Sequence, residues 1–183
     1  MAKIIAVLGM PGSGKSEAVE YLQNRYQWPK VYFGGVTLAE MKRRGLERTQ
    51  ANERLVREDL RNLYGEDHYA KEAIKMIEEL GKVPIVLADG LYSAVEYRTF
   101  KDYFQGDFFT IAIHARPRLR HERLLSRPER PLSLQASEER DWAQLNRLAQ
   151  GAPIALSDYM IVNEGSKEEL KKKLDAVVET IHI

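Results

Sequence analysis

The run Gly9, Met10, Pro11, Gly12, Ser13, Gly14, Lys15, Ser16 has the form G-x-x-x-x-G-K-[ST]. Residues of these types in this order suit one chemistry. Glycines let the backbone curl so that successive N–H groups point inward at phosphate oxygens, and a helix that follows adds the positive end of its dipole. Lys15 is then expected to reach the β- and γ-phosphates of a triphosphate, and Ser16 to place its hydroxyl on Mg²⁺. The run lies where that mechanism needs it, directly after apolar residues 4–8 and before a helical pattern over 17–25. A glycine-rich turn with a chance Lys-Ser pair explains neither flank, so ATP with Mg²⁺ is the expected ligand.

A phosphate loop of this kind needs an acidic residue at the end of a buried strand to help hold the metal. Asp89, closing the apolar run 85–88 and followed by Gly90, fits, although Asp-Gly is also ordinary turn chemistry. Between residues 116 and 130 there are six Arg and two Glu, a local balance of +4. Arg116, Arg120, Arg123 and Arg127 are spaced 4, 3 and 4, which predicts one helical stripe of like charge that costs stability unless anions neutralise it. Polyphosphate is the expected anion, because a guanidinium presents a planar fork of donors to its oxygens. The plainer reading is a solvated basic face paired with Glu122, Glu129 and Glu138. Pro128 and Pro131 predict a break after the stripe, with helix resuming near Arg140 and Asp141. That makes 127–140 a short lid able to close over phosphates, as phosphoryl transfer requires.

The elements that position these residues are legible as short apolar runs at 4–8, 31–33, 85–88, 108–113 and 159–162, separated by helical stretches. Five such runs imply an α/β domain of three layers, a parallel sheet with helices on both faces. Residues 37–83 read as two or three helices broken near Gly45, Gly65 and Gly81, an insert long enough to cover a second ligand. Thr37, Ser93 and Ser166 each stand three residues before a Glu, the form of a capping box, so these hydroxyls are expected to cap helices rather than catalyse. The 183 residues, 44% hydrophobic and 30% charged, contain no repeat or linker and read as one domain over 1–183. The absence of Cys excludes disulfides, Cys-ligated zinc, iron–sulfur clusters and thiol catalysis. No apolar run approaches the roughly 20 residues of a membrane span, so a cytoplasmic protein without membrane contact is expected. With 28 basic and 27 acidic residues the formal charge is +1, and no aromatics interleave the arginines, which argues against nucleic acid.

Taken together, these features resemble P-loop kinases of the nucleoside monophosphate kinase and dephospho-CoA kinase type, and are most similar to an archaeal family of nucleotide-kinase-like proteins. Besides the phosphate loop, the likeness rests on Met41 to Leu46, Asp89-Gly90, Arg120-x-x-Arg123-Leu-x-x-Arg127, Arg140-Asp141, and the stretch from Ala155 through Asp158 to Asn163-Glu-Gly165. The resemblance implies a P-loop NTPase fold with a five-stranded parallel sheet. It implies that Arg123 stacks on adenine, that Arg127 contacts phosphate, that Arg140 is the arginine returning from the lid, that Arg120 belongs to the nucleotide-binding set, and that Asn163 to Gly165 border the base.

The acceptor side departs from this pattern. Such kinases carry an Asp and, three residues on, an Arg after the second strand, where this chain has Gly35 and Leu38; an Arg after the third strand is replaced by Tyr92. Charge-assisted bonds of about 1.5–3 kcal/mol each are lost, which disfavours an ordinary AMP or CMP kinase. The expected activity is transfer of the γ-phosphoryl of Mg·ATP to a nucleotide-like or other small acceptor under the 37–83 insert. Lys15, Asp89, Arg127 and Arg140 are its expected catalytic groups, and Ser16 and Asp89 its metal ligands. His68, Asp67 and Glu66 are candidate bases, each equally at home as packing or surface. The alternative is an ATP-binding or slowly hydrolysing switch that has lost acceptor chemistry. No N-K-x-D motif supports a GTPase, and AAA-type machines are set aside on size. Oligomeric state is left open.

Overall fold

A computed structural model describes residues 2–181. Five strands form one parallel sheet: β1 (Lys3–Leu8), β2 (Lys30–Tyr32), β3 (Ile85–Asp89), β4 (Phe108–His114) and β5 (Tyr159–Val162), in the spatial order β2-β3-β1-β4-β5. The five expected runs are these strands, with every end moved by one residue or none; β2 alone is shifted at both ends. Parallel strands covered on both faces must be apolar almost throughout, and β1 is buried from Ile4 to Leu8.

The helices are α1 (Lys15–Tyr26), α2 (Gly34–Arg43), α3 (Gln50–Tyr64), α4 (His68–Glu79), α5 (Ala94–Phe104), α6 (Pro117–Ser126), α7 (Leu134–Leu148), α8 (Gly151–Ala155) and α9 (Lys167–Thr180). Two separate cores lie against the sheet. One gathers Ile4, Ala6, Leu8, Phe33, Met41, Val56, Ile74 and Phe100 under α2 to α5; the other gathers Ile5, Val7, Val19, Leu22, Ile111 and Leu174 under α1 and α9. Alternate residues of β1 thus feed opposite cores, which is the three-layer arrangement. The order reverses at β1, whose neighbours β3 and β4 lead away in opposite directions. The crevice beyond the carboxyl ends of such strands is where ligands of open α/β sheets bind.

Two helix starts differ from expectation. Ser93 caps α5 with the full reciprocal box, its Oγ accepting from Glu96 N while Glu96 accepts from Ser93 N. Thr37, by contrast, is no cap. Helix α2 begins three residues earlier at Gly34, directly off β2, and Thr37 is buried in its interior with Oγ1 2.7 Å from the Tyr69 hydroxyl. Likewise α7 begins at Leu134, capped by Ser133, whose Oγ accepts from Ala136 N, and Ser137 is buried inside it rather than ending a polar loop. The expected lid of 127–140 therefore reduces to a loop over 127–133, and residues 134–140 are helical. Among the described residues no helix is long and apolar enough to cross a membrane.

Candidate functional site

Residues 9–14 turn from the end of β1 into α1. Four of their carbonyls accept side-chain hydrogen bonds, one from Lys15 of the run itself and three from far along the chain. Gln150 Nε2 donates to Gly9 O at 3.0 Å, Lys15 Nζ to Met10 O at 3.1 Å, Arg120 Nη1 to Pro11 O at 3.0 Å and Asn163 Nδ2 to Ser13 O at 2.8 Å. A peptide's C=O and N–H point in opposite directions, so fastening the carbonyls outward turns N–H groups toward the concave side, where an anion would sit. Gly12 permits the close approach: at φ 77 it adopts the left-handed region, and a Cβ there would stand 2.5 Å from Arg120 O.

Arg120 does not face phosphate. Its Nε donates to Ala115 O, and Nη1 and Nη2 form a bidentate pair with Asp141 at 2.9 and 2.7 Å, with the two side chains 5% and 13% exposed. His121 Nε2 lies 3.0 Å from the same carboxylate. Burial raises the Asp141 pKa, but hydrogen bonds from Arg120 and His121 outweigh it and hold the carboxyl below its ordinary value. The expected stripe thus divides, because one carboxylate on α7 neutralises its second member. Arg116 is an exposed residue at the start of α6 beside Glu164, 3.8 Å away. Arg123 Nη2 donates to Asn163 O at 3.0 Å. Arg127 lies past the end of α6 and donates through Nε to Arg130 O. Asn163 is buried and its side-chain amide holds the loop, while its own N–H donates to His114 O at 2.7 Å. Gly165 follows it, pressed against the Glu169 carboxylate, which would collide with any Cβ there.

On the cleft side stand Lys15, Asp89, Tyr92, Tyr32 and Arg140. Burial brings the Lys15 amine down to about 8, the nearby Arg140 adds to this, and Asp89 opposes it. Burial raises the Asp89 carboxyl against the pull of Lys30 and Lys15. Tyr92 is pushed up by burial and then by Asp89 and Tyr32, with Arg140 acting in the other direction. Arg140, on the first turns of α7, is exposed and has no carboxylate partner among the described residues. Arg127 is lowered by burial and then by Arg140 and Arg130, so like charges face one another across the lid. Asp89 sits opposite Val7 in the sheet, one residue before β1 ends, which sets it beside the phosphate loop. Tyr92 is fixed through its backbone: Glu96 Oε2 accepts from Tyr92 N at 2.8 Å, and Glu96 Oε1 pairs with Arg61 of α3 at 3.0 Å.

Ser16, at the first turn of α1, and Asp89 offer one hydroxyl and one carboxylate, the hard oxygen donors that suit Mg²⁺. Among the described residues there is no cluster of three metal-ligating side chains.

The candidate bases are not brought to the loop. His68 stacks on Tyr64 at 4.8 Å and lines a groove of about 1370 Å³ among α2 to α5, to which no residue of the loop contributes. Asp67 pairs with Lys71 at 2.7 Å and Glu66 approaches Arg61 at 3.8 Å. Gln150, in contrast, carries no sequence signal: it stands in the break between α7 and α8, and only the tertiary structure shows its bond to Gly9.

Comparisons with known proteins follow this geometry. The family described as AAA domain matches residues 8–140, from the phosphate loop to Arg140. A UPF0200 protein of Thermococcus gammatolerans is 41% identical over 182 residues, covering 97% of this chain and 95% of that one. A UPF0200 protein of Sulfurisphaera tokodaii is 36% identical, covering 99% and 98%. Among solved structures, TT1252 from Thermus thermophilus superposes with a TM-score of 0.68 at 22% identity, covering 98% and 97%. A shikimate kinase from Acinetobacter baumannii in complex with shikimate does so at 0.57 and 15%, covering 98% and 94%. The last two likenesses are of fold, a kinase-like P-loop sheet. The relatives, identical at more than a third of positions over almost their whole length, and the profile match together make this chain a member of the UPF0200 family, built on a P-loop AAA domain.

Proposed function

We propose that the chain binds Mg·ATP at residues 9–16 and transfers its γ-phosphoryl group to a small-molecule acceptor, nucleotide-like or otherwise, held beneath α2 to α4. The observation that carries this reading is the set of three carbonyls fastened by Gln150, Arg120 and Asn163. A loop held open in this way has its N–H groups oriented before ligand arrives, and preorganised donors stabilise developing charge without reorganising. Phosphoryl transfer asks little else of a protein than positioning and charge neutralisation. Lys15 leaves the Met10 carbonyl to meet the phosphates. Arg127 and Arg140, lacking carboxylate partners, stabilise charge on the transferring group. Ser16 and Asp89 would hold Mg²⁺, which would supply neutralisation of phosphate charge. The acceptor oxygen bonds to the γ-phosphorus as the bond to the bridging oxygen breaks, ADP leaves and one proton is released.

Calorimetric titration of ATP into wild-type and Lys15→Ala protein tests the binding step, with loss of measurable affinity expected in the variant and unchanged affinity overturning the reading. The second reading, a nucleotide-dependent switch, is favoured by Tyr92 standing where an acceptor-binding arginine is expected. A panel of nucleosides, nucleoside monophosphates, dephospho-CoA and sugars, scored by ADP release, separates the two. Stimulation by any member supports the kinase, and uniformly slow hydrolysis supports the switch.

A further inference from the structure

Glu53, in the first turn of α3, is surrounded by three guanidinium groups. Arg48 Nε lies 3.4 Å from its carboxylate, Arg57 Nη1 3.8 Å and Arg130 Nη1 3.2 Å. The carboxylate is 16% exposed while the arginines are 63%, 42% and 41% exposed, so the acid sits inside and the bases form its rim. Arg130 belongs to the lid loop and also donates to Arg48 O at 3.4 Å, so this group bridges lid and insert. Arg130 has φ 50, a left-handed conformation that persists in a non-glycine residue only when its surroundings enforce it. The cluster adjoins Tyr32, whose hydroxyl is pushed up by burial and then by Asp89 and Glu53, while Arg48 and Arg57 oppose the shift.

The charges do not balance. Among the described residues, Lys15, Lys30, Arg48, Arg57, Arg127, Arg130 and Arg140 surround this region electrostatically against Glu53 and Asp89, with Arg120 and Asp141 offsetting each other. Bound Mg·ATP, at a net charge of about −2, still leaves a surplus of about two to three positive charges. A phosphate monoester or a dicarboxylate carries roughly that charge.

The geometry points to an anion subsite formed by Arg48, Arg57 and Arg130, in which Glu53 is a resident placeholder that a compact dianionic group on the incoming ligand displaces. Its role in holding the phosphoryl acceptor rests on the reading above; the anion binding itself does not. Because Glu53 competes intramolecularly, only the fraction of molecules with the carboxylate swung away is competent, and apparent affinity is reduced by that fraction. The arginines that the second and third strands lack at Leu38 and Tyr92 are on this view supplied from α3 and the lid.

The test uses Lys15→Ala protein, so that the phosphate loop no longer competes for the probe, and titrates inorganic phosphate and malonate by calorimetry. Phosphate binding is expected to survive in Lys15→Ala and to weaken at least tenfold when Arg57→Gln and Arg130→Gln are added. It is expected to tighten about fivefold when Glu53→Gln is added instead. Glu58→Gln, which removes an equal charge one turn along α3, is expected to change it less than twofold. Malonate is expected to compete with phosphate and to follow the same series. Phosphate affinity indifferent to the arginine changes, weakened by Glu53→Gln, or raised equally by Glu58→Gln overturns the subsite, as does failure of both probes to bind. None of these titrations contains nucleotide, so failure of ATP to bind wild-type protein is a separate result.

Discussion

Asn163 and Ser13 are 150 positions apart, and the side-chain amide of the first donates to the carbonyl of the second at 2.8 Å. Gly14 lies against the same amide: a Cβ there, at φ 106, would stand 2.3 Å from Asn163 Nδ2. Asn163→Ala leaves the Ser13 carbonyl without its partner and is expected to cost about 1–3 kcal/mol of stability. ATP affinity is expected to fall as well, since the loop loses a fastener. Gly14→Ala is expected to be at least as damaging, and urea denaturation paired with ATP titration measures both effects.

Arg120 and Asp141 form the most enclosed ion pair near the loop. Removing either partner leaves a buried charge uncompensated, so Arg120→Ala or Asp141→Ala is expected to cost about 3–5 kcal/mol, with strong non-additivity in the double variant. The pH dependence has a definite sign. The Asp141 carboxyl is held below its ordinary value in the folded protein, so its contribution is present above the unfolded value near 3.8 and is lost as pH falls through the folded one. Denaturation midpoints between pH 6 and pH 3 are expected to fall less steeply in Asp141→Asn than in wild type.

Lys15 titrates in the opposite sense. With the amine brought down to about 8 against an ordinary 10.5, the unliganded fold favours the neutral form. Its contribution to stability is full above 10.5 and is lost as pH falls through 8. Lys15→Met is therefore expected to raise the melting temperature of unliganded protein at pH 7 while removing ATP binding. Phosphate oxygens restore the charge, so ATP binding between pH 8 and 9 is expected to take up a fraction of a proton, and affinity is expected to fall as pH rises above 8. Calorimetry in buffers of different ionisation enthalpy reads the proton uptake directly.

The two tryptophans report on different places. Trp28 is buried and stacked on Tyr26 at 4.5 Å, whereas Trp142 is 64% exposed on α7, one residue after Asp141. In a Trp28→Phe protein all tryptophan emission comes from α7. Saturating Mg·ATP is expected to change its intensity or wavelength as Arg140 moves toward the phosphates, and the change is expected to be absent from Lys15→Ala.

The strands and the phosphate loop were legible because their determinants are local. Residues 159–162 had no ambiguity of length, and residues 9–16 needed only their own order and their flanks. The helix breaks at Gly45, Gly65 and Gly81 were legible for the same reason. What failed depended on partners distant in sequence. Thr37 matched a capping box, but the end of β2 starts a helix at once and Tyr69 supplies its hydroxyl with a partner. Arginines spaced 4, 3 and 4 are indistinguishable until Asp141 selects one of them, and neither Gln150 nor Glu53 carries a local pattern that marks its place.

The side chains that fasten the loop from elsewhere in the chain, Arg120, Gln150 and Asn163, all lie more than 100 residues after it. On a ribosome the residues that touch phosphate emerge first and those that hold them in shape emerge last. Contacts of such separation are made late, after the cost of closing a long loop has been met. A chain truncated before residue 163 is therefore expected to carry the whole sequence motif without the fastener that shapes it, and to bind ATP more weakly than the full chain in a calorimetric titration.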